Sequence, residues 1–188
     1  MLFEIENRAE YVWISAFDTK PEDVELLLRS MQQKFPSVSV QIVDLEKVGG
    51  SRYLFLATVN AVKSFHSPHS IARSLNMEIL LYVAANRQIG EALKIVGVTA
   101  ETRNVAAIAE GESKGEVLEA AVAFRELLKI AENDELLDKW DEKRLNHVRS
   151  VFRIGDEEIR ATLRKSEEVT KAVERLTIER SAMLAIKK

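Results

Sequence analysis

The sequence contains no cysteine among its 188 residues. Disulfide bonds, thiolate catalysis and cysteine-based zinc or iron–sulfur sites are therefore excluded. Long apolar runs are also missing, since no stretch approaches the roughly 18 to 20 residues of a membrane span. The start, MLFEIENRAE, lacks the basic residues and apolar stretch of a signal peptide. We expect a soluble cytoplasmic protein, and the 46% hydrophobic content predicts one domain, residues 1–188, with a sizeable core.

An excess of basic charge is absent as well. The formal net charge of -3 argues against a globally basic nucleic-acid binder. Charge is nevertheless unevenly placed, because the segment from Lys47 to Lys94 holds six basic and two acidic residues, with His66 and His69 in addition. A local cationic face is one interpretation. Ordinary solvated charge is the alternative that these counts leave open.

Motifs for catalysis and cofactor binding are missing too. The sequence has no GxSxG elbow, no HExxH zinc motif and no glycine spacing of a phosphate or dinucleotide loop. The stretch HSPH places His66 and His69 at a spacing that can bind metal, but Pro68 breaks the helix that would align the two rings. Gly49-Gly50-Ser51 is predicted to be a plain turn. We therefore predict a protein that is not an enzyme and has neither a metal site nor a cofactor.

Alternating and β-branched residues predict strands at Tyr11–Phe17, Val38–Val43 and Val105–Ala109, with an edge strand at Leu2–Ile5. Apolar residues at helical spacing predict helices in most of the remaining chain, beginning at Pro21-Glu22-Asp23. The fold class is therefore α+β (mixed α/β), with a small three- to four-stranded sheet surrounded by about seven or eight helices. Residues 133–188 are expected to form a helical segment packed on this α/β core.

The stretch NMEILLYVAANRQIGEALKIVGV combines a buried helix and an amphipathic one. Ile79 to Ala85 is apolar throughout, so this helix must be covered on all sides. Asn86 is predicted to end it and to cap the next helix, which places Arg87 and Gln88 in a first turn. Unpaired N–H groups, the helix dipole and a guanidinium together favour an anion there. A pairing of Arg87 with Glu91, one turn further on, explains the pattern equally well.

Several stretches together resemble one known family. They are VQIVDLEKVGG, LATVNAVKSFHSPHSIARSLNMEILLYVAANRQIGEALKIVGV, NVAAIAE and TIERSAMLAI. This set is similar to the kinase-binding subunit of the KEOPS (EKC) complex, the family of the human PRPK-binding protein. The resemblance runs from about Val40 to Glu110 and resumes in the last helix. The segment from Glu132 to Arg153 departs from it and is interpreted as an insertion.

The resemblance implies a non-catalytic subunit that binds the small atypical kinase/ATPase subunit and helps transfer RNA engage the complex. The complex makes the modified nucleoside threonylcarbamoyladenosine (t6A), and family members resemble readers of the tRNA 3′ CCA end. The implied RNA-binding residues are Lys63, His66, His69, Arg73, Tyr82, Arg87 and Gln88. The implied partner-binding residues are Leu176, Ile178, Met183, Leu184 and Ile186. Neither a membrane nor DNA is a predicted partner.

Two other functions remain open. One is a small-molecule-binding domain or enzyme that uses an anion site at the Arg87 helix N-terminus. The other is an adaptor that binds only protein, on which the positive face is incidental.

Overall fold

The computed structural model describes residues 1–6 and 8–186. These residues form four strands, namely β1 (Leu2–Ile5), β2 (Glu10–Phe17), β3 (Ser39–Asp44) and β4 (Val105–Gly111). The helices are α1 (Val24–Lys34), α2 (Ser51–Phe65), α3 (Leu75–Val83), α4 (Ile89–Val96), α5 (Lys114–Leu128), α6 (Glu135–Asp138), α7 (Glu142–Phe152), α8 (Asp156–Thr162) and α9 (Val169–Ala182). Short 3-10 turns lie at Leu45–Lys47 and Met183–Ala185. The predicted mixed α+β class is confirmed.

The four strands form one antiparallel sheet in the order β1-β2-β4-β3. The order β2, α1, β3 along the chain is typical of a parallel α/β unit, and β2 and β3 do run parallel to each other, although they do not pair directly. β4 lies between β2 and β3 and pairs antiparallel with both. Because β4 follows α4 in the chain, its insertion depends on pairing between segments distant in sequence, which local periodicity does not encode.

The chain divides into two compact units, and the first contains the sheet. This sheet unit comprises Met1–Leu45 and Gly97–Leu137. α1 and α5 pack on it, and the core between them includes Trp13, Phe17 and Phe124, whose ring centroids lie 5.4 to 6.2 Å apart. Such tilted and edge-on aromatic pairs add to the stabilisation that comes from area burial.

The second unit, the helical unit, comprises Glu46–Val96 and Asp138–Lys188. Its centre is α3, whose residues from Ile79 to Val83 are all buried, as predicted. α2 and α9 pack against α3 and satisfy its last carbonyl groups. The Tyr53 hydroxyl donates to the Val83 carbonyl at 2.6 Å, and the Ser181 hydroxyl donates to the Tyr82 carbonyl at 2.9 Å.

The predicted insertion, Glu132 to Arg153, carries side chains that hold the main chain in each unit. In the sheet unit, the Asp134 carboxylate accepts the Ala16 N–H at 3.2 Å. In the helical unit, Arg144 is buried and donates to the Val48 carbonyl at 3.1 Å. The Asp138 carboxylate accepts both the N–H and the hydroxyl of Ser51, at 2.9 and 2.6 Å. The segment therefore contributes to the fold of both units.

The hydrogen bonds of Asp138 to Ser51 also show how the glycine turn before α2 is used. Its carboxylate occupies the N-terminus of that helix, the position at which a phosphate loop would hold its ligand. Gly50 adopts a φ of 101°, which favours glycine, and it precedes the first helical residue. These features support the predicted plain turn. Among residues 1–6 and 8–186, no helix combines the length and the apolarity needed to cross a bilayer.

Candidate nucleic-acid interface

The corner between α3 and α4, residues 85–88, is built by main-chain geometry. Ala85 adopts a left-handed φ of 48°. Its N–H donates to the Tyr82 carbonyl at 3.2 Å, and the Asn86 N–H donates to the Leu81 carbonyl at 3.0 Å. This pair of bonds is the Schellman motif that commonly ends a helix. The buried helix therefore stops where its last carbonyls are satisfied, and the chain leaves it through the corner.

Asn86 was predicted to cap the next helix, but its side-chain oxygen accepts the Gln88 N–H at 2.9 Å and forms a turn before that helix. The predicted first-turn position of Arg87 and Gln88 is wrong, since α4 begins at Ile89. The Gln88 carbonyl accepts the Ala92 N–H at 2.8 Å, which makes Gln88 the residue that precedes the helix. The Asn86 side chain bonds to the backbone two residues later and so forms a turn. The helix therefore begins after this turn, at Ile89.

Arg87 is exposed at this corner, but its side chain is hydrogen-bonded to the 3-10 turn at Met183–Ala185, which we call the C-terminal turn. One of its guanidinium nitrogens donates to the Leu184 carbonyl at 3.2 Å. Glu91 is the alternative partner of Arg87 that the sequence left open. Its carboxylate oxygen lies 2.8 Å from the ammonium nitrogen of Lys94, with which it forms an ion pair. The contact with Leu184 fixes the direction of the Arg87 side chain, so the position of its charge is defined within the helical unit.

The loop between α2 and α3 is held by a buried carboxylate. Glu78 has no exposed surface. It accepts the backbone N–H of Ala72 at 2.6 Å and that of Ile71 at 3.0 Å. Hydrogen bonds to a charged acceptor are stronger than neutral ones, so Glu78 fixes the loop firmly. Arg73, which follows in the loop, is exposed.

A cavity of about 610 Å³ lies where α2, this loop, the corner and the C-terminal turn meet. We call it the cationic cavity. Its lining residues are Asn60, Lys63, Ser64, Ser67, Pro68, His69, Ser70, Tyr82, Arg87, Leu184, Ala185 and Ile186. They supply two permanent cations, an imidazole, several hydroxyl groups and an apolar wall. No carboxylate occurs among the described residues that line it.

The two acidic side chains of the Lys47 to Lys94 segment, Glu78 and Glu91, are not among the described residues that line the cavity. Glu78 is buried and bonded to main-chain amides, and Glu91 pairs with Lys94 on the exposed face of α4. Lys63 and Arg87, in contrast, are among the described residues that line the cavity. This arrangement suits an anion such as a phosphate.

Four of the seven predicted RNA-binding residues line the cavity: Lys63, His69, Tyr82 and Arg87. His66, Arg73 and Gln88 are exposed in the same unit but are not among the lining residues. Tyr82 requires a correction, because its side chain is 0% exposed. Its ring therefore cannot stack on a base in this conformation, although it forms part of the cavity floor.

The pKa of Tyr82 reflects this position. Burial raises its pKa above the ordinary value, and the neighbouring carboxylate of Glu78 acts in the same direction. Ser64 and Arg87 lower the pKa, without outweighing burial. The hydroxyl therefore stays protonated near neutral pH and acts there as a hydrogen-bond donor.

The predicted partner-binding residues divide into two groups. Leu176 and Leu184 are 4% and 3% exposed, which is a correction, since both belong to the core. Ile178 is half-buried. Met183 and Ile186 are 38% and 70% exposed and lie on the C-terminal turn after α9. Of the five predicted partner-binding residues, Met183 and Ile186 are therefore the two whose apolar side chains are exposed.

Sequence reasoning missed several lining residues. Asn60, Ser64 and Ser67 were not predicted, although they continue at helical spacing with the predicted Lys63, and this polar stripe was a detectable signal. The apolar residues of α4 at helical spacing are Ile89, Ala92, Leu93 and Val96, and two of them, Ile89 and Leu93, are 42% and 49% exposed. Ala92 and Val96 alone fill the buried side of that helix.

Comparison with known families matches residues 22–185 to the family described as kinase binding protein CGI-121. The chain belongs to the CGI-121 family. The matched range includes the cationic cavity except for Ile186. No individual curated protein matches the sequence. Membership of the CGI-121 family confirms the resemblance to the KEOPS kinase-binding subunit and supports a kinase as partner.

Proposed function

We propose that this chain is the non-catalytic kinase-binding subunit of a KEOPS complex and that it helps recruit tRNA for threonylcarbamoyladenosine synthesis. The cationic cavity would receive the single-stranded 3′ CCA end of the tRNA. The kinase-binding part of the proposal is supported by the CGI-121 family. The tRNA part is supported by one observation, namely that Lys63, His69 and Arg87 come together around a cavity whose described lining has no carboxylate.

The chemistry of a single-stranded RNA end suits this cavity. Its phosphates need cations, and the planar fork of a guanidinium offers two parallel donors to a phosphate. Its bases and ribose hydroxyls need neutral donors and acceptors, which Asn60, Ser64 and Ser70 offer. A volume of about 610 Å³ lies within the range of pockets that bind ligands of nucleotide size.

The test measures the affinity of the protein for deacylated tRNA with and without its terminal CCA, by fluorescence anisotropy. We expect the intact tRNA to bind more tightly, and the difference to vanish in Lys63→Glu and Arg87→Glu. Lys63→Glu leaves the bond between Arg87 and Leu184 intact, so it separates charge from the anchoring of the C-terminal turn. Arg29→Glu is the matched control, because Arg29 is an exposed arginine on α1 in the sheet unit.

Salt dependence separates RNA binding from the alternative of a protein-only adaptor. For single strands, the logarithm of affinity falls with the logarithm of salt by about 0.7 per phosphate contact. We expect a measurable slope for the intact tRNA and a smaller one in Lys63→Glu. Equal affinity of the wild-type protein for both RNAs would rule out recognition of the CCA end.

Partner binding is proposed to use Met183 and Ile186. We expect Ile186→Glu to weaken binding to the kinase subunit while leaving the thermal transition unchanged, because Ile186 is 70% exposed. Leu26→Glu is the control, since Leu26 is 60% exposed on α1 in the sheet unit. Kinase binding that Ile186→Glu leaves intact would place the interface elsewhere.

A further inference from the structure

The hydroxyl group of Tyr82 is buried without a hydrogen-bond partner in the described parts of the chain. Ser64 lies close enough to lower the pKa of Tyr82, but the two side chains do not have the geometry of a hydrogen bond. Burying a hydroxyl in this state destabilises a protein, so such groups are rare and call for an explanation.

The other buried hydroxyl groups of the helical unit are all satisfied. Tyr53 donates to the Val83 carbonyl and Thr58 to the Leu54 carbonyl. Thr177 donates to the Glu174 carbonyl and Ser181 to the Tyr82 carbonyl. Each therefore supports the fold by bonding to a main-chain oxygen. Tyr82 is the exception among the buried hydroxyls described in this unit.

Tyr82 is one of the residues that line the cationic cavity. Its pKa responds to Ser64 and Arg87, and both of these residues line the cavity, as Tyr82 itself does. The exposed cations Lys63 and Arg87 thus lie at the cavity's accessible part, whereas the neutral hydroxyl lies at its buried floor. A ligand that uses both must carry an anionic group and, beyond it, a neutral hydrogen-bond acceptor.

We propose that the Tyr82 hydroxyl is a recognition group that donates a hydrogen bond to a neutral acceptor on the RNA's terminal nucleotide. This inference rests on the proposed function, and it assigns to Tyr82 a role different from base stacking. The terminal phosphates would be held by Lys63 and Arg87, while the base or ribose of the last nucleotide would reach the floor. The unsatisfied hydroxyl of the free protein would then gain its partner on binding.

The experiment compares Tyr82→Phe with Tyr53→Phe. Both variants remove one buried hydroxyl from the helical unit, but only the Tyr53 hydroxyl has a protein partner. Tyr82→Phe is expected to keep or raise the melting temperature and to weaken binding of intact tRNA about tenfold, the loss expected for one buried hydrogen bond. Tyr53→Phe is expected to lower the melting temperature and to keep wild-type affinity for tRNA.

A double-mutant cycle with the RNA end makes the test specific. Against tRNA that lacks its CCA end, Tyr82→Phe is expected to bind as the wild-type protein does, since the acceptor is then missing. Unchanged affinity of Tyr82→Phe for intact tRNA would overturn the inference, as would an equal loss for both RNAs or a clear fall in melting temperature. The proposed function would survive those results. Wild-type protein that binds both RNAs equally would overturn the proposed function and this role together.

Discussion

Glu110 is a buried carboxyl group whose ionisation should make the stability of the protein depend on pH. It lies on β4 and is 4% exposed, and burial followed by the nearby charges of Glu10 and Glu112 raises its pKa from 4.5 to about 7. In the unfolded chain the carboxyl group should titrate near its ordinary value. The difference of about 2.5 pKa units corresponds to about 3 kcal/mol, since each unit is worth about 1.4 kcal/mol.

The sign follows from proton uptake. Between the unfolded and folded pKa values, the folded state holds more protons at this site, so the free energy of unfolding falls as pH rises. The stabilisation from protonated Glu110 is complete below about pH 4.5 and is lost by about pH 7, where the folded state must bury a carboxylate. Glu110→Gln is neutral at every pH and has nearly the same shape.

We therefore expect Glu110→Gln to match the wild-type protein near pH 4.5 and to exceed it by up to about 3 kcal/mol at pH 8. Urea denaturation at intervals from pH 4.5 to 8.5 measures this difference. Glu112→Gln is the matched control, because Glu112 is exposed and should change stability little. A difference between Glu110→Gln and wild type that is independent of pH, or a variant less stable at pH 8, would refute the reasoning.

The remaining predictions concern the helical unit. Gly49→Ala should destabilise it by about 1 to 3 kcal/mol, because a Cβ at this position would lie 2.4 Å from the Thr177 hydroxyl oxygen. Gly90→Ala is its control: nothing lies within 4 Å of the added Cβ, so thermal denaturation should show equal or greater stability. Glu78→Ala should cost about 1 to 3 kcal/mol, because two loop amides lose their acceptor. Hydrogen exchange of those amides should speed up in Glu78→Ala and stay unchanged in Glu91→Ala, which removes only an exposed ion pair.

Much of the local structure could be predicted because the determining interactions are short in range. The Asp23 side chain accepts the Leu26 N–H at 2.8 Å and begins α1 where the sequence indicated a helix start. The apolar run from Ile79 to Val83 is buried as its composition required.

The candidate site was predictable only in part. Lys63 and Arg87 were implied as RNA-binding residues by the family resemblance, and both line the cavity. The side chain of Tyr82 was expected to stack on a base, but it lies within the apolar run from Ile79 to Ala85 and is buried with that run. The sequence also did not reveal that the C-terminal turn lines the cavity. The Leu184 carbonyl and the Arg87 side chain, which are hydrogen-bonded, lie 97 residues apart in the chain.

The sequence by itself determined where helices and strands form, which segment carries the local positive charge and which family the chain resembles. These properties depend on residue type and on spacing over a few positions. The tertiary structure decided that β4 enters the sheet between β2 and β3, that Glu78 is removed from the charged surface and that residues from the three segments 60–70, 82–87 and 184–186 line one cavity. Contacts between distant segments set these outcomes, because burial and charge pairing depend on which side chains the fold brings together.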